Sequence, residues 1–178
     1  MAVAAVIGSV TPPGRLRRAV AEALERSAPG HALLDLAEHP LPFADGSAPH
    51  RPVLEAIARA DAVLLATPVY RGTYTGALKN LLDLLPVEAL RGKAVALAAM
   101  GATDHHHLGA DWHLRDVLAW FGALVAPTSV YLTSADFADG VPGARAERVL
   151  DELLAGLVAL SDAIPARLGP PPLAARRP

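Results

Sequence analysis

Five short stretches of this 178-residue chain are wholly or largely apolar, and each is followed by a segment whose apolar residues recur at helical spacing. The stretches are Ala2–Ile7, His31–Leu36, Ala62–Ala66, Ala94–Ala99 and Leu124–Leu132, the last interrupted by Pro127. The spacing predicts helices over Arg15–Arg26, Val53–Ala60, Thr75–Leu85, Leu108–Phe121 and Ala144–Leu160; the first carries Leu16, Ala19, Val20, Ala23 and Leu24 on one face. Pro86 and Gly122 stop two of them. A strand–helix unit repeating roughly every 35 residues demands parallel strands, because only a long crossover returns the chain in the same direction. Strands without a polar face need cover on both sides.

Right-handed crossovers and five strands favour the order 2-1-3-4-5, that of a flavodoxin-like three-layer α/β sandwich. Ligands in such sheets bind in the loops that leave the carboxyl ends of the strands. The loops after the first, third and fourth strands therefore carry the search for function. One domain is expected over residues 1–165, followed by a Pro/Arg-rich tail over 166–178 that is expected to be disordered. His39–Arg51 is expected to be a long loop.

Composition removes several classes of chemistry. The chain has no cysteine, which excludes disulfides, thiolate metal sites and thiol nucleophiles. A formal net charge of -2 gives no global field for nucleic acid or anionic lipid. Met1–Ile7 is apolar but lacks a basic flank and is too short to span a membrane, so the expected location is cytoplasmic.

The loop after the first strand, Gly8-Ser9-Val10-Thr11-Pro12-Pro13-Gly14-Arg15-Leu16, enters a helix. Its hydroxyls, its free amides and Arg15 suit a phosphate, although a plain capped turn would have similar residues. Neither G-x-G-x-x-G nor a Walker loop is present, which argues against a nucleoside triphosphatase. The loop after the third strand runs Thr67-Pro68-Val69-Tyr70-Arg71-Gly72-Thr73-Tyr74-Thr75-Gly76. It offers a flat apolar surface and aromatic rings, suited to a planar ligand or to packing on helices or a second subunit.

The loop after the fourth strand, Met100-Gly101-Ala102-Thr103-Asp104-His105-His106-His107, is small enough at its start for close backbone approach. Consecutive histidine side chains diverge, and His113 lies six residues beyond His107, so no metal site is expected. Trp112, Trp120 and Phe121 concentrate the large aromatics on one helix, which suggests a homodimer or homotetramer through that face. No acid–base or nucleophile arrangement emerges, as expected where a bound redox cofactor does the chemistry.

Thr67-Pro68-Val69-Tyr70 and Gly76-Ala77-Leu78-Lys79-Asn80-Leu81-Leu82-Asp83, with Gly8-Ser9 before them and Leu84-Leu85-Pro86 after, resemble the core motif of the NADPH-dependent FMN reductase family. The likeness covers roughly residues 2 to 160. It is nearest to the flavin reductases that serve two-component monooxygenases, alkanesulfonate monooxygenase systems among them. The resemblance implies FMN as substrate or cofactor, NADPH or NADH as reductant, direct hydride transfer between them, and a monooxygenase that receives reduced flavin.

It also implies phosphate held by Ser9, Thr11, Arg15 and the amide of Leu16. The isoalloxazine would lie against Pro68, Val69 and Tyr70, with Arg71 nearby and its pyrimidine edge at Gly101, Ala102 and Thr103. No residue is assigned as a catalytic acid or base. Gly14 and Leu16 stand where the family commonly has further serines, which implies a weaker hold on phosphate. An FMN-bound reductase of quinones or azo dyes, and a flavodoxin-like electron carrier or redox sensor, are the alternative expectations.

Overall fold

The computed structural model describes residues 1–11, 14–28, 30–43, 52–165 and 168–169. Residues 44–51 of the expected long loop and most of the expected tail lie outside the described residues. Strands β1 (Val3–Ile7), β2 (Ala32–Asp35), β3 (Ala62–Pro68), β4 (Ala94–Met100) and β5 (Leu124–Val125) form a sheet in the order β2-β1-β3-β4-β5. Every pair in it is parallel, with Ile7 beside Ala66 and Pro68 beside Met100 at the carboxyl ends. This is the flavodoxin-like arrangement.

The helices divide between the two faces because each central strand is apolar on both. Helices α1 (Arg15–Ser27) and α5 (Ala144–Ala163) pack on the face formed by Val3, Ala5, Ile7, Ala62, Leu64 and Ala66 and by Ala94, Ala96 and Ala98. Helices α2 (Pro52–Arg59), α3 (Gly76–Leu84) and α4 (Gly109–Phe121) cover Val6, Val63, Leu65, Val95 and Leu97 on the other. Among the described residues no helix is long and apolar enough to cross a membrane.

The expected fifth strand is in two pieces. β5 pairs with Ala94 and Val95, and β6 (Val130–Leu132) pairs further along the same neighbour with Ala98–Met100. Pro127, which has no N–H to give a ladder, sits in the break. Arg115 of α4 serves the break from the side: Nη2 donates to the Ala126 and Pro127 carbonyls at 2.9 and 3.2 Å. The same guanidinium holds Asp111 through bonds of 2.8 and 3.0 Å. A short hairpin, β7 (Phe137–Ala138) and β8 (Val141–Pro142), then leads into α5. Before it, buried Asp136 accepts from Thr133 N at 2.7 Å and from Arg145 Nη1 at 2.6 Å.

Asp111 and Asp136 tie stability to acid pH. Burial works against the charged form of each. Bonds from Arg115 and Ser129 to Asp111, and from Thr133 and Arg145 to Asp136, outweigh it and hold both below the ordinary value of 3.8. A depressed folded-state pKa lends stability that is present above the unfolded value and lost as pH falls through the folded one. Thermal melts are therefore expected to be flat between about pH 7 and 5 and to fall below about pH 4. Asp111→Asn should make that fall shallower; an unchanged acid limb would refute the assignment of Asp111 to it.

Candidate functional site

The site is built where β1, β3 and β4 end. After β1 the chain passes through Gly8 and Ser9, and Ser9 Oγ lies 2.7 Å from Thr11 Oγ1 while accepting Thr11 N–H at 3.3 Å. Helix α1 then starts at Arg15 behind an extended Gly14, with no side-chain cap and no acidic residue in its first turn. A helix start without a cap leaves backbone N–H donors for an anion, and the helix dipole favours negative charge there. Arg15 lies over the Phe137 ring of the hairpin, its guanidinium carbon 5.5 Å from the centroid.

The loop after β3 is tied to the loop after β1 by two threonines. Buried Thr67 accepts Thr75 N–H at 3.2 Å and donates to Pro68 O at 2.9 Å. Thr75 Oγ1 donates to Gly8 O and accepts Leu78 N–H at 3.1 Å, capping α3. Between them Tyr70 and Thr73 exchange bonds of 2.9 and 3.3 Å across a two-residue turn. Arg71 and Gly72 take φ of 55° and 83° there, and glycine removes the steric cost at the second position.

The loop after β4 locks onto both neighbours. Val69 N donates to Met100 O at 2.8 Å, and Gly101 N to Leu132 O at 3.0 Å. Tyr131 OH donates to Thr103 O at 2.8 Å. Burial, then the charge of Asp104, raises the Tyr131 pKa, so the phenol stays a donor. A Cβ on Gly101 would stand 1.9 Å from the Tyr131 oxygen, so this close approach needs glycine. His113 Nδ1 lies 2.7 Å from Thr73 Oγ1 and joins α4 to the turn. Among the described residues no group of three or more His, Cys, Asp or Glu side chains could hold a metal ion.

Of the residues expected from sequence, Ser9, Thr11, Arg15, Leu16, Pro68 and Tyr70 line one crevice of about 210 Å³. Met100, Arg17 and Asp35 line it with them. Val69, Arg71, Gly101, Ala102 and Thr103 stand outside its wall: Val69 and Gly101 lock the strand ends, and exposed Arg71 occupies the turn tip. Asp35, Thr67 and Thr75 escaped the sequence reading. A lone acid in an apolar strand was a signal for Asp35, whereas the threonines meet only through the fold. Chemically, the crevice joins an uncapped helix start, whose N–H groups suit an anion, and an arginine to a flat wall of Pro68 and Tyr70.

Comparison with known proteins bears on the family and the fold. The NADH-dependent FMN reductase SfnF of Pseudomonas fluorescens is 48% identical over 86 residues, 48% of this chain and 46% of that protein. The chain thus spans about half the length of such curated relatives. The NADPH azoreductase of Bacillus sp. is 33% identical over 134 residues, 71% of this chain and 75% of its own. A solved NADH:FMN oxidoreductase, EmoB in its apo form, superposes with a TM-score of 0.73 at 26% identity, over 99% of this chain and 96% of its own. Residues 1–137 match the model of the NADPH-dependent FMN reductase family, and with the flavodoxin-like sheet and its crevice this makes the chain a member of that family.

Proposed function

We propose that this protein reduces FMN at the expense of NADPH or NADH and supplies the reduced flavin to a partner monooxygenase. The observation that carries the reading is the single crevice in which Ser9, Thr11 and Arg15 meet Pro68 and Tyr70. That wall fits FMN: the uncapped start of α1 and Arg15 suit its phosphate, and Pro68 and Tyr70 suit a planar ring. When bound, FMN supplies the two-electron acceptor for hydride passed directly from the nicotinamide.

The chain's own residues bind and orient. Ser9, Thr11, Arg15 and the Leu16 amide would hold the phosphate and Pro68 and Tyr70 support the ring, while Val69, tied to Met100, and Arg71 flank the ring from outside the crevice wall. Beyond the crevice wall, the backbone groups of Gly101, Ala102 and Thr103 that Leu132 and Tyr131 do not take would meet its edge. Proximity and stacking then supply the rate, and no side chain need move a proton. The domain spans residues 1–165, and its place of action is the cytoplasm. Trp112 and Trp120, both exposed on α4, support a homodimer or homotetramer through that helix.

The test is NADH and NADPH oxidation, each with and without added FMN, FAD and riboflavin, with gel filtration of the same sample. Oxidation that rises with free FMN to saturation, and flavin that separates from the protein on the column, are expected. Oxidation indifferent to FMN, or monomeric elution, would refute the corresponding part. The azoreductase relative favours a second reading, in which FMN stays bound and an azo or quinone substrate is reduced. Stoichiometric flavin retained through gel filtration would select it.

A further inference from the structure

Three arginines open α1, and their surroundings differ. Arg18 pairs with Glu22 one turn on, at 2.8 Å. Arg17 reaches to the end of β2: Nη2 donates to Glu38 Oε1 at 2.9 Å, and Nε stands 2.9 Å from Asp35 Oδ2, an ionic contact too bent for a hydrogen bond. Arg15 makes no ion pair among the described residues and lies over Phe137.

The two carboxylates are placed by the backbone. Asp35 is buried, and its Oδ1 accepts Ala37 N–H at 2.9 Å. Its carbonyl accepts Glu38 N–H at 3.1 Å and His39 N–H at 2.9 Å, closing the turn that carries Glu38 to Arg17. Arg17 and Asp35 line the same crevice as Ser9, Thr11 and Arg15. Two carboxylates against the Arg17 guanidinium make that trio formally negative, which offsets the charge Arg15 brings to the start of α1. A guanidinium so engaged has fewer donors to offer, and its field is cancelled at short range.

We infer that Asp35 and Glu38 are positioning residues that withhold Arg17 from the flavin phosphate. Arg15 is then the arginine of the three that meets it, and FMN is gripped loosely enough to leave after reduction. This rests on the flavin-reductase reading above. Residues that act through another side chain are separated from merely structural ones by a ligand that lacks the phosphate, and riboflavin is that ligand.

The experiment measures FMN and riboflavin dissociation constants of the full chain by flavin fluorescence. Glu38→Gln is expected to tighten FMN about threefold and Asp35→Asn about fivefold. Riboflavin should stay within about twofold in both, and the gain should shrink with salt. Arg17→Ala should change FMN affinity less than about twofold, while Arg15→Ala weakens it about tenfold. Glu38 is on the surface, so Glu38→Gln decides the matter even where Asp35→Asn fails to fold.

Unchanged or weaker FMN binding in Glu38→Gln would overturn the inference. So would equal changes for riboflavin, or a large FMN loss in Arg17→Ala. A native protein that binds no flavin would overturn the flavin reading itself, and this inference with it. A native protein that prefers FMN to riboflavin, with variants that leave the preference unmoved, would overturn the inference alone.

Discussion

Gly109→Ala is expected to lower FMN reduction by more than about tenfold and stability by about 2 kcal/mol. The added Cβ would stand 1.9 Å from Gly72 O and 3.1 Å from Gly72 C, a collision with backbone rather than with a movable side chain. Either the first turn of α4 or the Tyr70–Thr73 turn must shift. The turn has less to hold it: its tip is exposed, and His113 to Thr73 is one of its few ties to α4. Tyr70 would leave the crevice wall with it. Initial rates over a range of FMN, with urea unfolding of the same samples, measure both effects. Gly156→Ala is the control, because a Cβ there in the middle of α5 meets open space. It should stabilise by about 0.5–1 kcal/mol through helix propensity. Wild-type kinetics in Gly109→Ala would mean that the turn does not position the ring site.

Thr75→Val keeps the volume and removes the hydroxyl that joins three elements. Leu78 N–H loses its cap, worth about 1 kcal/mol. Gly8 O loses its donor in a buried position, which costs about 1–3 kcal/mol more. The expected total of about 2–4 kcal/mol should lower the melting temperature by about 5–15 °C in a chain of this size. Thr75→Ser keeps the hydroxyl and should recover most of the loss. The FMN affinity of the Val variant should fall as well, because Gly8 precedes Ser9 and the bond fixes where the loop proposed to hold phosphate begins. A melt within about 2 °C of wild type would refute the role assigned to Thr75.

Strand order and helix positions were legible because they rest on local periodicity: unbroken apolar runs in β1, β3 and β4, and one-sided patterns in α1 and α3. The crevice residues from the loops after β1 and β3 were legible for the same reason, since strand ends locate them. What stayed hidden depends on residues far apart in sequence. Thr75 and Gly8 are 67 residues apart, and nothing local marks their bond. Pro127 announced a break in the fifth strand, but its repair by Arg115 depends on how α4 packs. The β7–β8 hairpin did carry a signal, Asp139-Gly140 between short apolar pairs, of the kind that favours two-residue turns. It went unread because the flanking strands are only two residues long.

The alanines on one face of the sheet set a distance. Helix α1 can approach β1 and β3 only as closely as the side chains between them allow, and there Ala5, Ala62 and Ala66 alternate with Val3, Ile7 and Leu64, so each methyl group leaves a recess between larger side chains. The start of α1, and Arg15 with it, therefore stands at a height set by how the helix fits over both the larger side chains and the recesses between them. Filling one of the recesses would lift the end of the crevice that holds Arg15 away from Pro68 and Tyr70, which ride on β3 and its loop. The opposite face, filled largely by valine and leucine under α2, α3 and α4, reaches the crevice through loops instead, by Thr75 to Gly8 and by His113 to Thr73. The two sides of one sheet thus meet the same crevice in different ways: one sets how high α1 stands above the strand ends, the other anchors the loops beside it.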